Sequence, residues 1–245
     1  VYIPLPPALH YKWAKKALEN GKHVLVEKPA TLCEKDSKDL ICIAKKNGVA
    51  LHENYMFMFH KQLSSVDDIV RAGEIGDLRL YRLAFGFPKR AKGDFRYNKE
   101  LGGGALIDAG GYTIKYASKL LGNDTTIVYA NMNYTSEFDV DIYGSAAMVN
   151  NKGDTVQISY GMDNDYKCEL EIWGSTGCLT TGRILTAPVD FVPQVIVKKG
   201  NVDEVRNLPA DDAFYKSICY FYKCINDETT RNESYCNIDR QAKLV

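Results

Sequence analysis

Apolar and amphipathic stretches alternate so quickly over the first 55 residues that only strand–helix winding fits them. Val1–Leu5 is a short apolar run closed by Pro6-Pro7. Leu9, Trp13, Ala14, Ala17 and Leu18 then recur at helical spacing, and Gly21 supplies a stop. His23-Val-Leu-Val26 reads as a compact strand. Leu40, Ile43 and Ala44 mark one face of a second helix ended by Gly48, and Val49-Ala-Leu51 opens a third strand. Strands joined by single helices pair in parallel through right-handed crossovers. Residues 1–55 are therefore expected to form part of a doubly wound parallel sheet.

The pattern changes beyond that point. Residues 61–75 read as a helix, Leu78–Phe85 as a long strand, and 102–122 as a glycine-rich helical segment. Strand candidates follow near 126–134, 141–149, 154–161, 167–173, 178–182 and 193–198, joined by turns such as Asn151-Lys-Gly153. Two helices are expected near 211–225 and 236–245. The expected fold class is α/β: a truncated doubly wound parallel sheet (1–55), followed by an α+β domain with a large, mostly antiparallel sheet (56–245).

Charge and cysteine usage narrow the function classes. Lys+Arg and Asp+Glu are equal at 31 each, so no basic excess invites nucleic acid or an anionic membrane. No apolar run approaches the ~18 residues of a membrane span. The seven cysteines are odd in number and contain no Cys-x-x-Cys, which argues against a zinc site or a disulfide framework. No metal is expected, and the cysteines read as reduced thiols of a cytoplasmic protein.

Two segments carry chemistry. Glu27-Lys28-Pro29 directly follows the strand His23–Val26, and ligands of open parallel sheets sit beyond the carboxyl ends of the strands, so the tripeptide reads either as a ligand-facing turn or as a solvated loop. The second is Leu101-Gly-Gly-Gly-Ala-Leu-Ile-Asp108-Ala-Gly-Gly-Tyr112. In a helix Asp108 and Tyr112 stand at i and i+4 on one face. Glycines this dense disfavour a helix, which suggests that a ligand or a neighbouring strand approaches the backbone closely, the alternative being a glycine-rich loop with an N-terminal helix cap.

Together these segments resemble the glucose–fructose oxidoreductase/inositol dehydrogenase (Gfo/Idh/MocA) family. The resemblance extends to the Pro-x-x-x-His10 helix start, Glu53-Asn54-Tyr55, Ile75-Gly76-Asp77 and Trp173-Gly-Ser-Thr-Gly177. It implies an oxidoreductase with a Rossmann domain that uses NAD or NADP on the hydroxyl or ketone of a sugar, sugar nucleotide or polyol. By the same resemblance Lys28 touches the reacting oxygen and Tyr112 is the general acid/base. The tyrosine's pKa is expected to fall beside the ammonium. Asp108 binds a substrate hydroxyl or holds Lys28. Leu5, Pro6, His10, Glu27, Lys28 and Asn54 match positions along the cofactor, and Arg96 and Tyr97 could reach the substrate. For His10 a plain helix-start histidine is an equal alternative, and for Arg96 a surface salt bridge. His60 is left between packing and pocket lining.

The Gly-x-Gly-x-x-Gly turn and acidic ribose-binding residue of the family are expected before residue 1. At about 30 residues per βαβ unit, roughly 60–70 residues would precede Val1. The expectation is a fragment of a longer enzyme, the alternative a truncated, non-catalytic sugar-binding or assembly module. A weaker possibility is a lyase or hydrolase using bound NAD transiently. Val128, Ala130 and Met132 alternate with Tyr129, Asn131 and Asn133, so one face of that strand reads as apolar and the other as mixed. In the family such a sheet commonly pairs subunits, which implies a homo-oligomer, a dimer or tetramer, with solvent exposure of the mixed face as an equal alternative.

Overall fold

The structure, a computed structural model, describes residues 1–245. Three short strands, β1 (Tyr2–Ile3), β2 (Val24–Glu27) and β3 (Leu51–Asn54), form a parallel sheet in that order. Helix α1 (Pro7–Glu19) joins the first pair and α2 (Glu34–Asn47) the second. Proline at the first position of α1 loses no hydrogen bond there, because the first-turn amides have no helical partner. Gly48 ends α2 in the left-handed conformation (φ 63°) that a Cβ would disfavour. Leu18 of α1 and Leu40 of α2 are fully buried in the sheet's core, each stabilising it by about 1.5–3 kcal/mol.

After α3 (Lys61–Arg71) comes the large sheet. Its strands are β4 (Leu78–Gly86), β5 (Thr126–Tyr134), β6 (Asp141–Val149), β7 (Thr155–Gly161), β8 (Lys167–Gly174), β9 (Cys178–Gly182), β10 (Gln194–Lys199) and β11 (Val202–Asn207). They lie in the order β11-β10-β9-β8-β4-β7-β6-β5. All neighbours are antiparallel except β4 and β7, which run parallel. β4 reaches the middle of the sheet because Tyr81, Leu83 and Phe85 are buried on one face against α3 and α4 (Gly111–Leu121).

Several sequence expectations need correction. β11 escaped the pattern because Val-Asp-Glu-Val-Arg-Asn is exposed nearly throughout. β5 lies at the edge of the sheet, with Val128 (62% exposed) and Tyr129 (56%) both open. Segment 102–122 is not one helix but short turns, a π-helical turn at Leu106–Gly110, and then α4.

Two helices close the chain, α5 (Ala213–Asn226) and α6 (Glu228–Leu244). α6 starts eight residues before the expected 236, because Asp227 caps it by accepting the amide of Thr230 (2.8 Å). This helix returns to the small sheet. Tyr235 and Ile238 join the core of β1–β3, and the Tyr235 hydroxyl donates to the carbonyl of Val49 (2.5 Å). No helix is long and apolar enough to cross a membrane.

Candidate active site

The parallel strands end at a cleft of about 500 Å³ that also borders α4 and the large sheet. β2 delivers Glu27 and Lys28 to it, and the loop after β1 delivers Pro4 and Leu5. From the other side come Asp108, in the π-helical turn, and Tyr112, in the first turn of α4. Such turns widen a helix and recur at functional sites. The glycines around them make room for the protein itself. A Cβ on Gly103 would strike the Arg96 carbonyl, and one on Gly111 the Tyr55 hydroxyl.

Asp108 is held from two sides. Lys28 Nζ donates to its Oδ1 (2.6 Å) and to its backbone carbonyl (2.8 Å), and Arg96 Nε donates to its Oδ2 (2.6 Å). Burial pushes the Asp108 carboxyl up, but the Lys28 and Arg96 charges outweigh it and hold the group below its ordinary value. Burial works against the Lys28 ammonium in turn. Tyr112 and Asp108 more than offset this, leaving the lysine above its ordinary value and charged.

The ammonium lies 4.7 Å from the centre of the Tyr112 ring. Tyr55 meets that ring edge-on (5.3 Å, 89°), Phe85 at 64° (5.3 Å) and Phe57 at 32° (5.6 Å), which fixes its position. The Tyr112 hydroxyl makes no hydrogen bond within the protein, and Tyr112 lines the cleft. Its titration corrects the sequence expectation. Burial raises it, and the Lys28 ammonium only partly opposes that, so the phenol stays above its ordinary value and protonated at neutral pH. The arrangement suits a proton donor better than a base.

The remaining sequence candidates divide. Leu5 and Glu27 line the cleft, whereas Pro6 caps the start of α1. Glu27 Oε1 accepts from Asn54 (2.7 Å) and from the Tyr2 hydroxyl (2.7 Å), which leaves Oε2 open for a ligand hydroxyl. Asn54 is itself held by Ser217, which donates to its Oδ1 (2.8 Å). His10 is fully buried, with ring nitrogens 2.6 Å from the Leu5 carbonyl and 2.7 Å from the Pro29 carbonyl. It clamps the two cleft loops together instead of facing the cleft. Arg96 both lines the cleft and forms ion pairs, with Asp94 and Asp108. Tyr97 does not reach the cleft: its ring stacks on Phe138 (4.1 Å) and its hydroxyl donates to the Met162 carbonyl (3.2 Å). His60 is packing, accepting the Gln62 amide at the start of α3.

Sequence reasoning missed the aromatic box of Tyr55, Phe57 and Phe85, and the task of Glu53. That carboxylate is buried (5% exposed), accepts the Ala30 amide (2.9 Å) two residues beyond Lys28, and pairs with Lys115 (3.2 Å). The only available signal for it was its place beside Asn54.

The donor set fits a nicotinamide dinucleotide: an apolar shelf at Pro4 and Leu5, a free carboxylate oxygen on Glu27 and a cation at Lys28, all at the strands' carboxyl ends. Residues 1–55 match the family described as "Oxidoreductase family, NAD-binding Rossmann fold", and residues 64–180 the "GFO/IDH/MocA C-terminal domain". A relative from Actinomadura kijaniata, named dTDP-3,4-didehydro-2,6-dideoxy-alpha-D-glucose 3-reductase, is 39% identical over all of this chain and 74% of its own. The enzyme of that name from Saccharopolyspora spinosa is 37% identical over all of this chain and 76% of its own. This chain belongs to the Gfo/Idh/MocA family of oxidoreductases. The fold agrees. The crystal structure of a 3-ketoreductase from Actinomadura kijaniata with NADP and TDP-benzene superposes with a TM-score of 0.95 at 38% identity, covering 99% of this chain and 74% of that one. Solved variants of that ketoreductase include one with a lysine replaced by alanine and one with a tyrosine replaced by phenylalanine. As a member of the family the chain is an NAD(P)-dependent oxidoreductase, and its α/β architecture is the one those structures share.

Proposed function

We propose that the chain reduces the ketone of a deoxysugar carried on a nucleoside diphosphate, with NADPH as reductant. The observation that carries this reading is the Lys28 ammonium, pinned by Asp108 above Tyr112, whose hydroxyl is left free at the cleft. Relatives named for dTDP-sugar 3-reduction cover the whole of this chain, which favours a dTDP-linked 3-ketosugar among possible substrates. The lysine and tyrosine replaced in the solved ketoreductase variants also stand as far apart in sequence as Lys28 and Tyr112 do here.

The cofactor, when bound, supplies a hydride for the carbonyl carbon. Tyr112 donates its phenolic proton to the carbonyl oxygen as negative charge builds there. Lys28 stabilises that charge from a fixed position, needing no reorganisation because Asp108 already holds it. Asp108 therefore acts through Lys28 as a positioning residue, and Arg96 steadies it from the far side. Glu27 Oε2 would accept a hydroxyl of the cofactor, and Leu5 would offer it an apolar surface.

The test is to follow nicotinamide absorbance while the full-length protein is mixed with NADPH and a dTDP-linked 3-ketosugar. Turnover that falls by about 100- to 1,000-fold in Lys28→Ala supports the reading. A protein that binds NADPH yet reduces no nucleotide-linked ketosugar would sink it. We further propose a homo-oligomer built on the exposed sheet face, because Tyr129 of β5 and Tyr143 of β6 lie open on that face. A monomeric mass by light scattering would refute that assembly.

A further inference from the structure

The charges lining the cleft do not cancel. Arg96 is matched by Asp94 and Asp108, and Lys28 by Asp108. Two more guanidiniums line the same cleft, Arg90 beyond the end of β4 and Arg183 directly after β9. Neither meets a carboxylate. Arg183 lies over the rings of Tyr166 (5.0 Å) and Phe191 (5.7 Å), and Arg90 over Phe87 (5.3 Å). A guanidinium held over aromatic rings with no carboxylate partner keeps its N–H groups for an anion, in the fork geometry that phosphate oxygens match.

The backbone gives an independent sign. Arg183 is the one non-glycine residue with positive φ (49°). An L-residue there crowds its Cβ against the backbone, so such positions favour glycine. Gly182 stands next to it, yet an arginine occupies the strained position. Strain of this kind clusters where a side chain has a task.

We propose that Arg183 and Arg90 clamp the diphosphate of the substrate, with Tyr166 as the ring surface beside it. The inference rests on the sugar-nucleotide reading above and deepens it by naming the residues that select the nucleotide. A diphosphate ester carries two negative charges and the cleft offers two unmatched guanidiniums. The dinucleotide cofactor also contains a pyrophosphate. Both arginines, however, come from strand ends of the large sheet, whereas Pro4, Leu5 and Glu27 come from the parallel strands.

The experiment is calorimetric titration of the full-length protein with thymidine diphosphate, thymidine and NADP separately. In Arg183→Ala the affinity for thymidine diphosphate should drop at least about tenfold, the size expected for a charge-assisted pair. Arg90→Ala should move it the same way. NADP affinity should hold within about threefold, and the parent should bind thymidine far more weakly than its diphosphate. Arg183→Gly is the folding control: it suits the left-handed backbone, so it should melt no lower than the parent while losing the diphosphate equally. Parent protein that does not bind thymidine diphosphate, or unchanged affinity in both Arg183 variants, overturns the clamp. An equal loss of NADP overturns it too, by assigning the arginine to the cofactor. The two readings fail separately. Arg183-dependent binding of thymidine diphosphate without turnover of any ketosugar keeps the clamp and removes the reductase, and turnover with an unchanged KM in Arg183→Gly does the reverse.

Discussion

Lys28 projects its ammonium over the face of Tyr112, 4.7 Å from the ring centre, while its N–H groups are engaged by both the side chain and the backbone of Asp108. The lysine is thereby fixed by one neighbour and presented to the other. The pair joins a strand end of the small sheet to the first turn of α4, so the spacing of the reacting groups depends on how the two sheets pack.

Tyr112→Phe keeps the ring within Tyr55, Phe57 and Phe85 but removes the proton. The melting temperature should stay within about 2 °C of the parent, since a hydroxyl that faces the cleft without a protein partner contributes little. Ketone reduction should slow by about 100- to 10,000-fold in kcat. A variant with parental kcat would remove Tyr112 from the chemistry.

The pH dependence has two separate limbs. Tyr112 sits above its ordinary value, so it remains a proton donor throughout the neutral range. The reduction rate should decline only at alkaline pH, beyond the ordinary tyrosine range. Asp108 sits below its ordinary value of 3.8, so its ionic contribution to stability is complete above that range and is lost as pH falls through the folded-state value. Asp108→Asn leaves Lys28 and Arg96 without their shared anion and should cost about 3 kcal/mol at neutral pH. Melting curves of parent and variant should converge on acidification below pH ~4. A gap that stays constant with pH would rule out the ionic account.

Glu53 supports the Lys28 loop from behind. Glu53→Ala leaves the Ala30 amide and the Lys115 ammonium without partners in a buried place, a loss of about 3 kcal/mol by urea unfolding. Glu53→Gln can still accept the amide and should recover part of that. Recovery of kcat along with stability would mark Glu53 as holding the loop, and equal loss in both variants would point to the charge alone.

His10→Ala should raise the KM for NADPH more than it lowers kcat, because the imidazole ties the Leu5 loop to the Pro29 loop. The carbonyl that accepts its ring N–H would lose that partner, at about 1–3 kcal/mol of stability. A KM equal to the parent's would mean that the loops hold their positions without it.

The small sheet was legible because strands covered on both sides are written as continuous apolar runs such as Val24-Leu-Val26. Asp108 and Tyr112 were legible through the glycines that admit Arg96 and Tyr55 to the backbone. The parallel seating of β4 beside β7 was not, since strand order is decided by packing between distant segments and leaves no local pattern. Tyr97 was misplaced for a similar reason. A tyrosine beside a cleft motif looks the same whether its hydroxyl faces substrate or the Met162 carbonyl. Arg183 had no motif at all, and only its backbone angle and its unmatched charge single it out.

The place of α6 bears on how the chain comes off the ribosome. The core of β1–β3 is closed by Tyr235 and Ile238, and the Tyr235–Val49 hydrogen bond spans 186 residues. Gln241 of the same helix donates to the Tyr55 hydroxyl (3.2 Å) and to the Gly111 carbonyl (2.9 Å), bridging the small sheet to the helix that bears Tyr112. The nucleotide-binding unit therefore cannot finish folding before the large sheet and α6 have been translated. It must wait, with an open flank, until α6 has emerged.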